Sequence, residues 1–190
     1  MFLDKLKNTP KDKLLLFTTI IGIIIVILLY LLVFIPIEAS FNDYGILDFE
    51  FVWTPERAEV ILGAWGPSGR NKQTLAIYWD FLFIIGYVSI ALSLNLLVSR
   101  RLNGTLQNFG ILMSLLGTFS GLFDIIENIN LLIMLDTPTS VSSTNALTAS
   151  ISATIKFGFL LGAINFFVMA LIILLIKKLR KRKGLFFGFF

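Results

Sequence analysis

Four polar side chains, Asp124, Glu127, Asn128 and Asn130, sit inside GLFDIIENINLLIML, a run from residue 121 to 135 that is otherwise apolar. Asp80 and Tyr87 belong to DFLFIIGY, residues 80 to 87, and Lys156 to ASISATIKF, residues 149 to 157. Carboxyl, amide, phenol and ammonium groups in such surroundings can hold or pass protons, pair with one another, or receive a charged head group. The chain contains no His and no Cys. That excludes a histidine general base, imidazole-held haem or zinc, thiolate metal sites, disulfides and cysteine-linked lipids.

Asp80, Asp124 and Glu127 offer oxygen ligands of the kind that suit Mg²⁺, Ca²⁺ or Mn²⁺. Lys156 beside them would compete with a metal ion, and no dedicated ligand spacing is present. Neither a metal nor an organic cofactor is expected.

The elements that must carry these groups are membrane spans. The chain has 190 residues, of which 56% are hydrophobic and 15% charged, outside the range of ordinary soluble domains. A hydrocarbon layer of about 30 Å needs roughly 20 apolar residues per helix, and residues 14–35, 75–98, 109–135 and 151–176 meet that length. The expectation is an all-α membrane protein, one domain over residues 1–190, folded as an up-down bundle of four transmembrane helices. The first apolar run exceeds a signal-peptide core and no small-x-small cleavage site follows it, so it reads as a retained helix.

Basic residues fix the expected orientation. Lys5, Lys7, Lys11 and Lys13 precede the first span, Arg100 and Arg101 follow the second, and six cations from Lys177 to Lys183 follow the fourth. By the positive-inside rule both termini of this multi-pass protein are expected to be cytoplasmic. The bacterial inner membrane is the location implied by the family resemblance that AWGPSGR, DFLFIIGY, DIIEN and ASISATIKF carry, described below. The C-terminal cations read as a topology anchor rather than a nucleic-acid contact, and the tail GLFFGFF is expected on the inner membrane surface.

The loops between spans one and two and between spans three and four are then external. In the first, residues 36–74, Thr54 is a fitting N-cap, Pro55 the first helical residue and Glu56 a first-turn anion, which predicts a short helix over residues 55–63. Ala58, Ile61, Leu62 and Trp65 give it one apolar face, and Gly66, Pro67 and Gly69 are expected to stop it. It reads as an interfacial anchor, with Trp53 and Trp65 in the headgroup belt, able to double as a lid. The second loop, TPTSVSSTNALTAS, is polar, uncharged and expected to be mobile.

At about 100° per residue, Gly117, Ser120, Gly121, Asp124, Glu127 and Asn128 share one face of span three, with Phe119, Leu122, Ile126, Ile129 and Ile133 opposite. Span two places Asp80, Tyr87, Ala91 and Asn95 on one face, and span four groups Lys156 with Ser152, Ala153, Leu160 and Ala163. Gly158 and Gly162, near Asn165, have a spacing suited to close helix contact. Asn130 leaves the stripe and is assigned to a helix contact, and span one serves as scaffold or lid.

With about 1.5 Å of rise per residue, Asp80 and Lys156 lie about 8 to 10 Å below the outer ends of their spans, Glu127 about 12 Å and Asp124 about 16 Å. A charge near the bilayer centre costs on the order of 3 kcal/mol, so scattering four towards lipid is unfavourable. The expected arrangement is one polar pocket, open to the outside, in which Lys156 pairs with a carboxylate. The surplus of acids then calls for a protonated carboxyl, a cation or a cationic ligand.

The segments AWGPSGR (residues 64 to 70), DFLFIIGY, DIIEN (residues 124 to 128) and ASISATIKF resemble an uncharacterised family of four-helix bacterial integral membrane proteins. The resemblance spans about three of the four helices and the first outer loop. It implies that Asp80, Asp124, Glu127, Asn128 and Lys156 belong to one site. In layout alone the chain is also similar to the emopamil-binding/sigma-2 group of sterol isomerases and ligand-binding proteins, but it lacks the histidine of the isomerases and an acid in the first span.

The function these readings favour is binding of, or action on, a lipid-like or amphipathic small molecule entering from the outer leaflet, with Asp80, Tyr87, Asp124, Glu127, Asn128 and Lys156 lining its pocket. The alternatives are an accessory subunit that meets another membrane protein, and a proton or cation transporter. Membrane lipids and an amphipathic ligand are the expected partners, and nucleic acid is not. The residue types fit a binding site and an enzyme equally.

Overall fold

The computed structural model describes residues 2–187, with side chains described for residues 4–180. Among the described residues the fold is helical throughout its regular elements: α1 (Phe2–Leu6), α2 (Asp12–Leu29) continued through a π-helical turn (Tyr30–Phe34) into α3 (Ile35–Glu38), α4 (Ile46–Glu50), α5 (Pro55–Ser99), α6 (Gly104–Asp136) and α7 (Ser143–Phe187). Four helices are long and apolar enough to cross a membrane: Asp12–Glu38, Pro55–Ser99, Gly104–Asp136 and Ser143–Arg180. The last three residues of the tail GLFFGFF lie outside the described residues.

The long helices pack in sequence, α2 on α5, α5 on α6 and α6 on α7, and α5 also reaches α7. Small residues set the closest approaches. A Cβ on Gly22 of α2 would stand 2.6 Å from the Gly86 carbonyl oxygen of α5, so a side chain there collides with backbone. Gly117 of α6 sits between Ala91 of α5 and Ala163 of α7, and its stripe mates Ser120, Gly121, Asp124, Glu127 and Asn128 are buried. Phe119, Leu122, Ile126, Ile129 and Ile133 on the opposite side are exposed, as their periodicity predicts.

The glycine spacing in α7 works differently from the sequence expectation. A Cβ on Gly158 would meet nothing within 4 Å among the described residues, and one on Gly162 would only touch Met113 at 3.8 Å. Gly158 and Asn165 are exposed, and Gly162 is half-buried at the edge of the α6 contact. The Asn130 amide donates to the Ile126 carbonyl of its own helix at 2.7 Å, not to a neighbouring helix among the described residues.

Two helix boundaries differ from the sequence reading. Gly66 does break the helix, adopting φ 60° and ψ −177°, but helix resumes at once through Pro67, so α5 runs from Pro55 to Ser99 around a kink. A positive φ is accessible to glycine at little cost, and proline fits the first turn of the helix that restarts. The segment expected to be a mobile outer loop is mostly helical as well. Ser142 accepts from the Thr144 N–H at 3.2 Å, and α7 begins at Ser143.

The π-helical turn has a local cause. Pro36 has no N–H for the Leu32 carbonyl and its ring crowds that oxygen, so the preceding turn widens and the Ile35 N–H reaches the Tyr30 carbonyl. Tyr30 and Phe34 on this widened turn border the cavity described below.

Candidate functional site

Lys156 is the centre of a buried charge cluster. The residue is 5% exposed, and Nζ donates to Glu127 Oε1 at 2.9 Å and Asp124 Oδ1 at 3.1 Å. Glu127 Oε2 is also 2.8 Å from Nζ, though outside hydrogen-bonding geometry. Asp124 and Glu127 are three residues apart on α6, and Lys156 faces them across the α6–α7 contact. An ammonium shared by two carboxylates satisfies its donors where water is scarce.

The rest of the sequence-predicted residues extend this cluster along α5 and α6. Tyr87 donates its hydroxyl to Asp124 Oδ2 at 2.7 Å, so both oxygens of Asp124 are engaged. Asn128 donates through Nδ2 to Asp80 Oδ2 at 2.7 Å. Asp124, Glu127 and Asn128 are all buried. Two polar groups thus join into one zone: Tyr87, Asp124, Lys156 and Glu127, flanked by Asp80 with Asn128.

Glu50 is a member of the site that the sequence reading missed. It closes α4, and its Oε2 lies 3.5 Å from Lys156 Nζ, giving the lysine three acidic neighbours. Burial pushes the Glu50 carboxyl above the ordinary glutamate value near 4.5, against the pull of the neighbouring ammonium.

Three contacts explain how a five-residue helix can hold a carboxyl inside the bundle. Phe49 is fully buried and packs on Trp65 with ring centroids 5.1 Å apart. Phe51 stacks on Phe157, the neighbour of Lys156, at 5.8 Å. Between them Ser150 of α7 clasps the backbone, donating to the Glu50 carbonyl at 3.0 Å and accepting the Trp53 N–H at 2.9 Å. Trp53 has φ 58°, which turns the chain sharply towards the N-cap Thr54.

The preceding loop is tied down by the same economy of partners. Glu38 accepts the Ile46 N–H at 3.3 Å and Asp48 accepts the Gly45 N–H at 3.0 Å. Trp65 Nε1 donates to the Tyr44 carbonyl at 2.8 Å, and Arg57 stacks over the Tyr44 ring at 4.7 Å. Glu59 accepts the Val141 N–H at 3.1 Å, joining the segment before α7 to α5.

Beside the charge cluster lies a cavity of 620 Å³. Its apolar wall includes Tyr30, Phe34 and Ile35 from the first long helix, Ile46 and Leu47 from α4, Ile77 and Phe83 from α5, and Phe157 from α7. Glu50, Gln73, Asp80 and Asn128 form its polar end, with Glu38 also on the wall. Tyr30, Ile35 and Leu47 are exposed, so the cavity opens between the first long helix and α4. Such a mixture of apolar wall and convergent polar groups is typical of a small-molecule site.

No family model, curated protein or solved structure matches the chain.

Proposed function

We propose that this chain is a multi-pass protein of the bacterial inner membrane that binds, or acts on, a lipid-like or amphipathic small molecule. The four apolar helices form an up-down bundle with both termini in the cytoplasm, so the charge cluster and the cavity lie in the outer half. The helical segment before Gly66 and α4 then cover the outer mouth. The observation that carries the reading is the 620 Å³ cavity, which pairs aromatic and aliphatic walls with Glu50, Gln73, Asp80 and Asn128 at one end.

Its rim at Tyr30, Ile35 and Leu47 faces sideways in this arrangement, where an acyl or isoprenoid chain could enter from the outer leaflet. The Lys156 cluster stands directly behind the polar end. Its part is to hold Glu50 and α4 in place, and Tyr87 with Asp124 provides a proton donor and acceptor within the same network. The kinship suggested by AWGPSGR, DFLFIIGY, DIIEN and ASISATIKF fits the same assignment, because these segments supply Asp80, Asp124, Glu127, Asn128 and Lys156.

Lipid analysis with native mass spectrometry tests the proposal on gently purified wild-type protein, Asp124→Asn and Lys156→Met. A specific molecule enriched over bulk lipid in the wild type and lost from both variants is the expected result. Bulk-like lipid in all three folded proteins would remove the reading.

A second reading, an accessory subunit, is favoured by the exposed Gly158 and Asn165 on α7, since a small residue and an amide suit helix association in lipid. A stoichiometric membrane protein that co-purifies with wild type and is lost from Gly158→Leu would support it.

A further inference from the structure

The cavity and the charge cluster do not expose the same groups. Glu50, Gln73, Asp80 and Asn128 reach the cavity wall, whereas Lys156, Asp124 and Glu127 stand behind it, and no lysine or arginine is among the described lining residues. Asn128 uses its Nδ2 on Asp80. What remains at the polar end is chiefly acceptor oxygen.

Gln73 makes this imbalance explicit. It is 2% exposed, yet its Oε1 has no hydrogen-bond partner among the described residues. Glu50 Oε2 also accepts no hydrogen bond, although Lys156 Nζ is 3.5 Å away. A buried acceptor left without a donor is costly. Glu50 Oε2 is taken up by the Lys156 ion pair, so the Gln73 carbonyl on the cavity wall is the acceptor left for a donor-rich group.

Charge points the same way. Glu50, Asp124 and Glu127 surround a single ammonium, that of Lys156, and Asp80 on the cavity wall has the Asn128 amide, not a cation, as its hydrogen-bond partner. A phosphate or carboxylate head would meet carboxyl groups with no cation on the wall to receive it. A hydroxyl head would donate one hydrogen bond and leave the charge uncompensated. An ammonium group supplies several donors and a positive charge together.

Resting on the amphipathic-ligand reading above, we propose that the ligand's head is an ammonium group, seated between Glu50, Asp80 and the Gln73 carbonyl, with its chain along Tyr30, Phe34 and Phe83. Aromatic side chains near the head add to the fit, as Lys156 itself already lies 4.7 Å from the Phe157 ring centroid.

The test uses the full chain in nanodiscs of zwitterionic lipid and four probes with the same tail: dodecylammonium, dodecyl phosphate, dodecanoate and dodecanol. Dodecylammonium is expected to bind at least about tenfold more tightly than each of the others. Gln73→Leu is expected to weaken it by about tenfold, and Gln73→Glu, which keeps the side chain polar and adds a negative charge, to strengthen it. Equal or tighter binding of dodecyl phosphate, dodecanoate or dodecanol overturns the ammonium assignment while leaving the amphipathic-ligand reading standing. Failure of all four probes to bind overturns both. A Gln73→Glu protein that folds and binds dodecylammonium more weakly than wild type also overturns the assignment.

Discussion

Lys156 Nζ lies 2.8 Å from Glu127 Oε2, and the glutamate side chain has no exposed surface. An ion pair in that position depends on its remaining neighbours, because each charge has given up its water and retains only the partners the fold supplies. Asp124 and Glu50 are those partners, and Glu50 comes from a segment 74 residues before Asp124 in the chain, outside the long helices.

Lys156→Met should therefore be among the most damaging single substitutions. Removing the ammonium leaves Asp124, Glu127 and Glu50 facing one another, and breaking a buried pair in this way costs about 3 to 5 kcal/mol. Thermal unfolding in detergent checks the loss. Adding Glu127→Gln to Lys156→Met should recover part of it, since one uncompensated acid is then neutral.

Tyr87→Phe should be mild by comparison. It removes the 2.7 Å hydrogen bond to Asp124 and the hydroxyl's interaction with Ser120, and keeps the ring that meets Phe83 at 5.9 Å. A loss of about 1.5 to 3 kcal/mol is expected for a hydrogen bond to a charged acceptor. If the same thermal measurement shows a loss as large as that of Lys156→Met, Tyr87 has a larger structural role than its contacts imply.

The acids of the long helices were legible because ionisable groups are rare in such apolar runs, and the spacing of Asp124, Glu127 and Asn128 places them on one helical face. The face that buries Gly117, Ser120 and Gly121 followed from the same periodicity. Glu50 was not legible. Its neighbours Asp48, Phe49 and Phe51 give no repeating pattern, and what brings it inward is the distant clasp of Ser150 and the packing of Phe49 on Trp65. Local spacing also misdirected the helix-contact assignment. Gly158 and Gly162 have the familiar interval, yet close backbone approach occurs at Gly22 and Gly86, which share no motif because they belong to different helices.

That difference gives a paired test. Gly22→Val should destabilise the bundle by several kcal/mol, because its side chain would collide with the Gly86 carbonyl and the contact is backbone on one side. Gly158→Val should leave the thermal stability of the protein near wild type, since the new side chain enters open space. Comparable losses in both would contradict the assigned helix contacts.

The pH dependence attributable to Glu50 has a definite sign. Its folded value is raised above the ordinary one near 4.5, so the ionised carboxyl disfavours the folded state. The contribution of Glu50 to stability is fully present below about 4.5 and is lost as pH rises through the raised folded value. Glu50→Gln should remove this component, so its stability relative to wild type should increase with pH across that window. Denaturation midpoints of both proteins at a series of pH values read the difference directly, and a relative stability that falls with pH would reverse the assignment.

Occupancy of the cavity is the most direct test of the central claim. Ala76 is 4% exposed and lines the 620 Å³ space, so Ala76→Phe places a ring where the ligand would lie while leaving the Lys156 cluster unaltered. Native mass spectrometry should find one tightly retained amphipathic molecule on the wild type and none on folded Ala76→Phe. Equal retention by both proteins, or none by either, would contradict the cavity as a ligand site.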